Sequence, residues 1–257
     1  MPRGSVTAFL TAARRIGRAL SLAAPALTLA APTTLAPSQP AAAQLYLDGR
    51  TLEEAPPFVV QRYRDRAEAG DARAQFYLGL MHEQGLIGQS GPQPAAAREW
   101  FARAGEAGYP PAQYKLAVMR EEGVGGPPDP RGARALYQTA AEAGLKEAQY
   151  NLALMLQEGR GGPRDLRAAI RWYEQAALAG VSRAALALAE LHSTGVGTPV
   201  DPVEAWAWLA RAAEQGNVDA ASLLRKLEAQ MSDAQRAEAQ KLKQAHDVLA
   251  QMRRRRS

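Results

Sequence analysis

Apolar residues recur along the chain at helical spacing, and they fall into columns. A large aliphatic side chain stands at Leu78, Leu116, Leu152 and Leu188, and Met81, Met119, Met155 and Leu191 follow three residues later. A small residue separates each pair, at Gly79, Ala117, Ala153 and Ala189. Positions i, i+3 and i+4 share one face of an amphipathic helix. Each such helix begins near Ala74-Gln75-Phe76, Ala112-Gln113-Tyr114, Ala148-Gln149-Tyr150 and Ala184-Ala185-Leu186. It ends at Gly85, Gly123, Gly159 and Gly195, residues suited to a left-handed cap.

A second helical pattern follows each first one. It carries Trp100-Phe101, Leu136-Tyr137, Trp172-Tyr173 and Trp208-Leu209, then small pairs at Ala104-Gly105, Ala140-Ala141, Ala176-Ala177 and Ala212-Ala213. Large residues fill the space between helices, and the small ones let backbones approach. The link between the two helices is a Gly/Pro loop, as in Gly125-Gly126-Pro127-Pro128, Gly161-Gly162-Pro163 and Gly197-Thr198-Pro199. An aspartate closes it at Asp129, Asp165 and Asp201, placed to accept the free N–H groups that open the second helix. Pro130 and Pro202 come next, at the first helical position, where the missing N–H costs nothing. A glycine then closes each unit at Gly70, Gly108, Gly144, Gly180 and Gly216, with separations of 38, 36, 36 and 36 residues. A fixed period in the thirties predicts an array of stacked helix pairs.

These columns resemble the Sel-like repeat (SLR) family, a branch of the tetratricopeptide-like helical proteins. The resemblance is fullest over residues 146–180, in Ala148, Tyr150, Leu152, Gly159, Gly161, Asp165, Trp172, Tyr173, Ala176, Ala177 and Gly180, and it extends over about residues 55–230. It implies an all-α, α/α superhelical solenoid of about four repeats with atypical capping helices.

The irregular places are informative. The first full unit has two extra residues between Gly85 and Trp100, and Gln93 stands in the aspartate column. Its loop, Leu86 to Pro94, is expected to be the least regular. Residues 56–70 match only the second helix of a unit. After Gly216 a first helix passes through Ala220 and Leu224, and Ser232-Asp233-Ala234-Gln235 reads as a capping box opening a last helix. The face expected to pack there is Leu242, Ala245, Leu249 and Met252.

The formal net charge of +5 and the pI near 9.6 invite a nucleic-acid reading. The distribution removes it. Arg3, Arg14, Arg15 and Arg18, with Arg253, Arg254, Arg255 and Arg256, exceed that net charge, so the body between is acidic. Arg14, Arg15 and Arg18 precede an apolar stretch, Ala19 to Ala31, and small residues Ala41-Ala42-Ala43 stand before Gln44. That order predicts a signal peptide cleaved after Ala43 and a periplasmic or secreted product. The pair Arg14-Arg15 leaves twin-arginine export open beside the general secretory route, although Gly17 stands where that signal usually has a large apolar residue. The expected organisation is a signal peptide over 1–43, a linker over 44–57, the repeats over 58–230, and a capping helix with a basic tail over 231–257.

The absence of cysteine excludes a disulfide framework, a thiolate zinc site, a catalytic thiol and a lipidated cysteine. The Gly-x-Gly-Gly loops lack a P-loop lysine and follow helices, so they read as turns. The aspartates lie a repeat apart and read as caps. His82 and His192 share one column, where the resemblance expects Tyr, and read as packing residues; His246 lies alone on the last helix. No catalytic motif appears, so the chain is expected to be no enzyme and to need no metal or cofactor.

The resemblance implies a protein–protein interaction module that assembles complexes. Its concave face, lined by first helices, would hold Tyr77, Leu80, Lys115, Val118, Glu121, Asn151, Leu154, Gln157 and Glu190. Trp206 stands in a row otherwise held by Arg98, Arg134 and Ile170, as either a surface anchor or a packing contact for the last helix. The run Arg253–Arg256 is a solvated helix end or a contact for an anionic cell-wall or membrane surface. The partner is expected to be a protein or peptide rather than nucleic acid. A cell-wall glycan or β-lactam-like ligand is the rival reading, and an envelope hydrolase the remote one. Oligomeric state is open.

Overall fold

A computed structural model describes residues 57–87 and 91–255. The signal peptide, its cleavage site, the linker to residue 56, residues 88–90 and Arg256 lie outside the described residues. Every regular element described is an α-helix: α1 (Pro57–Glu68), α2 (Ala72–Gln84), α3 (Pro94–Glu106), α4 (Pro110–Glu122), α5 (Pro130–Glu142), α6 (Lys146–Glu158), α7 (Leu166–Leu178), α8 (Ser182–Thr194), α9 (Pro202–Glu214), α10 (Val218–Glu228) and α11 (Asp233–Arg254). The chain divides into two units after Asp129.

In the first unit, α1 supplies the lone second helix that the sequence predicts. Its Val59, Val60, Tyr63 and Ala67 are buried against Ala74, Leu78 and Met81 of α2. Phe76 gathers an aromatic cluster, with ring centroids 5.6 Å from Phe101 and 5.3 Å from Tyr109. The small column is needed here: a Cβ on Gly79 would lie 2.7 Å from the Phe101 ring. In the second unit, Tyr137 and Tyr173 are buried. Ala205 to Ala212 of α9 are buried without interruption, because α8, α10 and α11 all pack on it.

The loops clamp each repeat to the one before it. A Cβ on Gly125 would lie 2.4 Å from Pro94 O, and on Gly161 2.2 Å from Pro130 O, so each loop lies directly on the start of the preceding second helix. Arg98 Nη1 and Nη2 donate to Pro127 O, each at 3.3 Å, and Arg134 Nη1 donates to Pro163 O at 2.9 Å. A Cβ on Gly126 or Gly162 would meet those guanidinium groups at 2.7 and 2.8 Å. Where Ile170 replaces the arginine, Thr198 replaces the second glycine. The glycine is needed only where an arginine passes.

A second ladder ties first helices to the preceding turn. Gln75, Gln113 and Gln149 are buried and donate through Nε2 to Ala67 O, Gly105 O and Ala141 O at 3.0, 3.1 and 3.3 Å. The fourth repeat has Ala185 in this column. There Arg211 takes over from α9: Nε donates to Ala177 O at 3.1 Å and Nη2 to Leu178 O at 3.2 Å.

Asp165 accepts from Ala168 N at 2.9 Å, and Asp201 from Val203 N at 2.9 Å and Glu204 N at 3.1 Å, so both aspartates cap as predicted. Asp71 and Asn217 cap α2 and α10 in the same way. Asp129 lies 3.4 Å from Arg120 Nη1. Gln93 makes no cap hydrogen bond; it joins His82 Nδ1 at 3.0 Å instead. Ser232 and Gln235 complete the capping box.

The packing face of α11 differs from expectation. Ala239, His246 and Ala250 are buried and Leu242 is half-buried, whereas Ala245, Leu249 and Met252 are exposed. The facing helix decides this. Trp208 of α9 stacks on His246 at 4.0 Å, Arg211 Nη1 donates to Asp247 at 2.8 Å, and Lys243 reaches Glu214 at 2.5 Å. These contacts turn α11 away from its aliphatic stripe.

Candidate functional site

First-helix side chains that look away from their second helix are the candidate surface, taken one unit at a time. In the first unit Tyr77, Leu80, Lys115, Val118 and Glu121 are all half-buried. The Tyr77 ring stands edge-on to Tyr63 at 5.6 Å. Lys115 Nζ lies 2.7 Å from Glu83 Oε2, an ion pair joining α2 to α4. The resulting surface is mixed: a phenol, two aliphatic side chains, a lysine already matched by a carboxylate, and Glu121.

In the second unit Asn151, Leu154, Gln157 and Glu190 are half-buried. Gln157 is held from beneath, since Tyr173 Oη donates to its Oε1 at 2.8 Å. Burial, reinforced by Tyr150 and by Glu158 and Glu190, pushes the Tyr173 phenol far above its ordinary value, so it stays protonated and remains a donor. That hydrogen bond fixes the Gln157 oxygen and leaves its amide donors to the surface.

Trp206 does not join this surface. It is buried beside Ala207, Ala210, Met231 and Ala239, and its Nε1 donates to Glu228 Oε1 at 3.1 Å. In this row, which holds Arg98 and Arg134 in earlier repeats, the indole packs under side chains of α10 and α11, among them Leu224, Leu227 and Leu242. The surface-anchor reading is therefore corrected to a packing role.

Among the described residues no three His, Asp or Glu side chains gather as a metal's ligand set. His82 is half-buried, its pKa lowered by burial against the opposing Gln93 hydrogen bond. His246 is buried on Trp208; burial, aided by Arg211 and His192 and opposed by Asp247, brings its pKa down to about 4. One pairing escapes sequence reasoning. Glu174 of α7 and Glu204 of α9 are both half-buried, and burial raises both. Asp201 and Glu174 push Glu204 further, while Arg171 and Arg253 draw Glu174 back. Glu174 stands where other repeats have Ala102, Gln138 and Ala210, so no column marks it.

A cleft of about 690 Å³ opens between the start of α9 and α11, lined by Val200, Asp201, Glu204, Glu238, Lys241 and Leu242. It is wide and shallow. Asp201 is engaged there as a cap, and Glu204 beside it is the half-buried carboxylate whose pKa burial raises.

The Sel1 repeat family model matches residues 72–109, 110–145, 146–181 and 182–217, more than half of the chain. The alginate biosynthesis protein AlgK of Azotobacter vinelandii is 33% identical over 92 residues, which cover 34% of this chain and 19% of AlgK. Among solved structures, the protective antigen of uropathogenic Escherichia coli strains displaying an SLR fold aligns with a TM-score of 0.66 and 26% identity. That alignment covers 79% of this chain and 44% of the antigen. A Sel1 repeat protein from Oxalobacter formigenes aligns with a TM-score of 0.59 and 36% identity, over 66% of this chain and 49% of that one. The chain thus spans about a fifth to a half of the length of these relatives.

Proposed function

Since this chain belongs to the Sel1 repeat family, whose members generally mediate protein–protein interaction, we propose that it is a non-catalytic interaction scaffold of the bacterial envelope. One observation carries the reading. The conspicuous polar residues of the repeats are used up in holding the fold: aspartates as caps, Gln75, Gln113 and Gln149 as tethers, Arg98, Arg134 and Arg211 as clamps. What stays available on the first helices is a mixed row of half-exposed side chains, suited to an extended peptide or a protein surface. Its docking residues are Tyr77, Leu80, Lys115, Val118 and Glu121 in the first unit, and Asn151, Leu154, Gln157 and Glu190 in the second.

The envelope location is supported by the predicted leader. It is also supported by the likeness to a protective antigen and to an alginate biosynthesis protein. No described helix is long and apolar enough to cross a membrane.

The test is chemical crosslinking in live cells with wild type and with Leu80→Ser/Val118→Ser. Protein adducts that the double variant loses, at unchanged folded yield, support the scaffold. Retention of the chain by purified cell wall, with no protein adducts, replaces it with the glycan reading. Turnover of a wall substrate by the purified chain overturns both.

A further inference from the structure

The helix α11 leaves an apolar stripe uncovered. Val248 is 54% exposed, Leu249 48% and Met252 55%, and Ala245 is exposed beside them. At 100° per residue, Ala245, Val248, Leu249 and Met252 form one continuous face, set apart from the Ala239–His246–Ala250 face that packs on α9. Lys241 and Arg255, both exposed, stand at the two ends of that face. From residue 248 to 256 the sequence holds four arginines and no acid.

We propose that this face of α11, with the adjoining arginine run, docks on an anionic lipid bilayer surface. An exposed apolar stripe bordered by Lys and Arg is what an interfacial helix presents, with aliphatic side chains among the acyl chains and cations among the headgroup phosphates. Charge decides against a parallel second copy. Side by side in parallel, two arginine runs would meet; an antiparallel copy would set the exposed Glu238 toward Arg255, and that arrangement is what the lipid-free concentration series below reads. Size decides against an ordinary protein groove. Residues 245–252 rise only about 10 Å along the helix axis, too short for the roughly 800 Å² per partner of a stable protein interface. A bilayer needs no such area, since a few inserted side chains and several cations suffice. The inference is independent of the first-helix docking surface and stands or falls without it.

The lack of cysteine in the chain makes the test direct. Leu249→Cys in the full chain is labelled with an environment-sensitive fluorophore, and Glu106→Cys, exposed on α3, serves as the control position. Vesicles of phosphatidylcholine with 30% phosphatidylglycerol are added at 0.1 M salt. The expected result is a blue shift at position 249 and none at 106. Vesicle affinity should fall ~100–1,000-fold when Arg253, Arg254, Arg255 and Arg256 become Gln, as about fivefold per cation implies. Val248→Ser/Met252→Ser should lower it ~10-fold with the charge unchanged. Three results overturn the proposal: no shift on any vesicle, a shift of equal size on pure phosphatidylcholine, or a shift that grows with protein concentration without lipid. The last would assign the stripe to a protein contact.

Discussion

Replacing Arg211 tests how this array repairs a missing rung. The guanidinium is almost fully buried and makes three bonds, to Ala177 O at 3.1 Å, Leu178 O at 3.2 Å and Asp247 Oδ1 at 2.8 Å. Arg211→Met keeps much of the stem and removes all three. Two partners are not stranded, because Ala177 O still accepts from Gly180 N and Asp247 still pairs with Lys243 at 2.9 Å. The loss is therefore that of charge-assisted bonds and not of an abandoned buried charge, about 1.5 kcal/mol each at the low end and about 4–5 kcal/mol in all. Adding Ala185→Gln should restore the contact that Gln75, Gln113 and Gln149 make in the other repeats, recovering about 0.5–1 kcal/mol. Denaturant melts followed by tryptophan fluorescence report on this region, since Trp206 and Trp208 lie on α9. Amide exchange should quicken at the α7–α8 turn and along α11, while the first unit is unchanged. A cost below about 1 kcal/mol, or a further loss when Ala185→Gln is added, would refute the tether account.

The same packing sets a pH dependence and a glycine contrast. His246 has a folded pKa of about 4, below its unfolded value, so the unfolded chain binds the extra proton; stability should fall as pH drops from about 6.5 to 4, by up to about 3 kcal/mol, and His246→Phe should flatten that slope in melts across the range. Gly161→Ala combines φ +68° with a Cβ 2.2 Å from Pro130 O and should cost well above 2 kcal/mol, whereas Gly144→Ala, at φ +91° with open space around it, should cost about 1–2; equal losses in thermal melts would contradict the clamp.

Much of this was legible because stacking repeats write their contacts at one period. The first and second helices, their glycine ends and the Asp165 and Asp201 caps all stand where the columns place them. Even the clamps have a trace in the sequence, as Arg98–Gly126 and Arg134–Gly162 give way together to Ile170–Thr198. The reading left open at Trp206 and the one overturned on α11 fall where the period stops. Trp206 and α11 belong to one end of the array, where each contact is made once and no column repeats it. Periodicity on α11 finds Ala245, Leu249 and Met252 because they are apolar. It cannot find that Trp208 and Arg211 lie opposite and want His246 and Asp247. Glu174 and Glu204 escape for the same reason, since their proximity depends on packing that occurs in one repeat only. The first-helix surface was legible as a set of positions. That Lys115 is matched by Glu83 and Gln157 is held by Tyr173 needed coordinates.

The most direct test of the scaffold account is site-specific photocrosslinking in live cells. A photoreactive amino acid is placed at Leu80 in the first unit, at Leu154 in the second, and at Gln138, an exposed residue of the second helix α5. The account predicts discrete protein adducts from positions 80 and 154 and none from 138. Adducts from 138 alone, or none from either first-helix position while the chain stays folded and abundant, would contradict it.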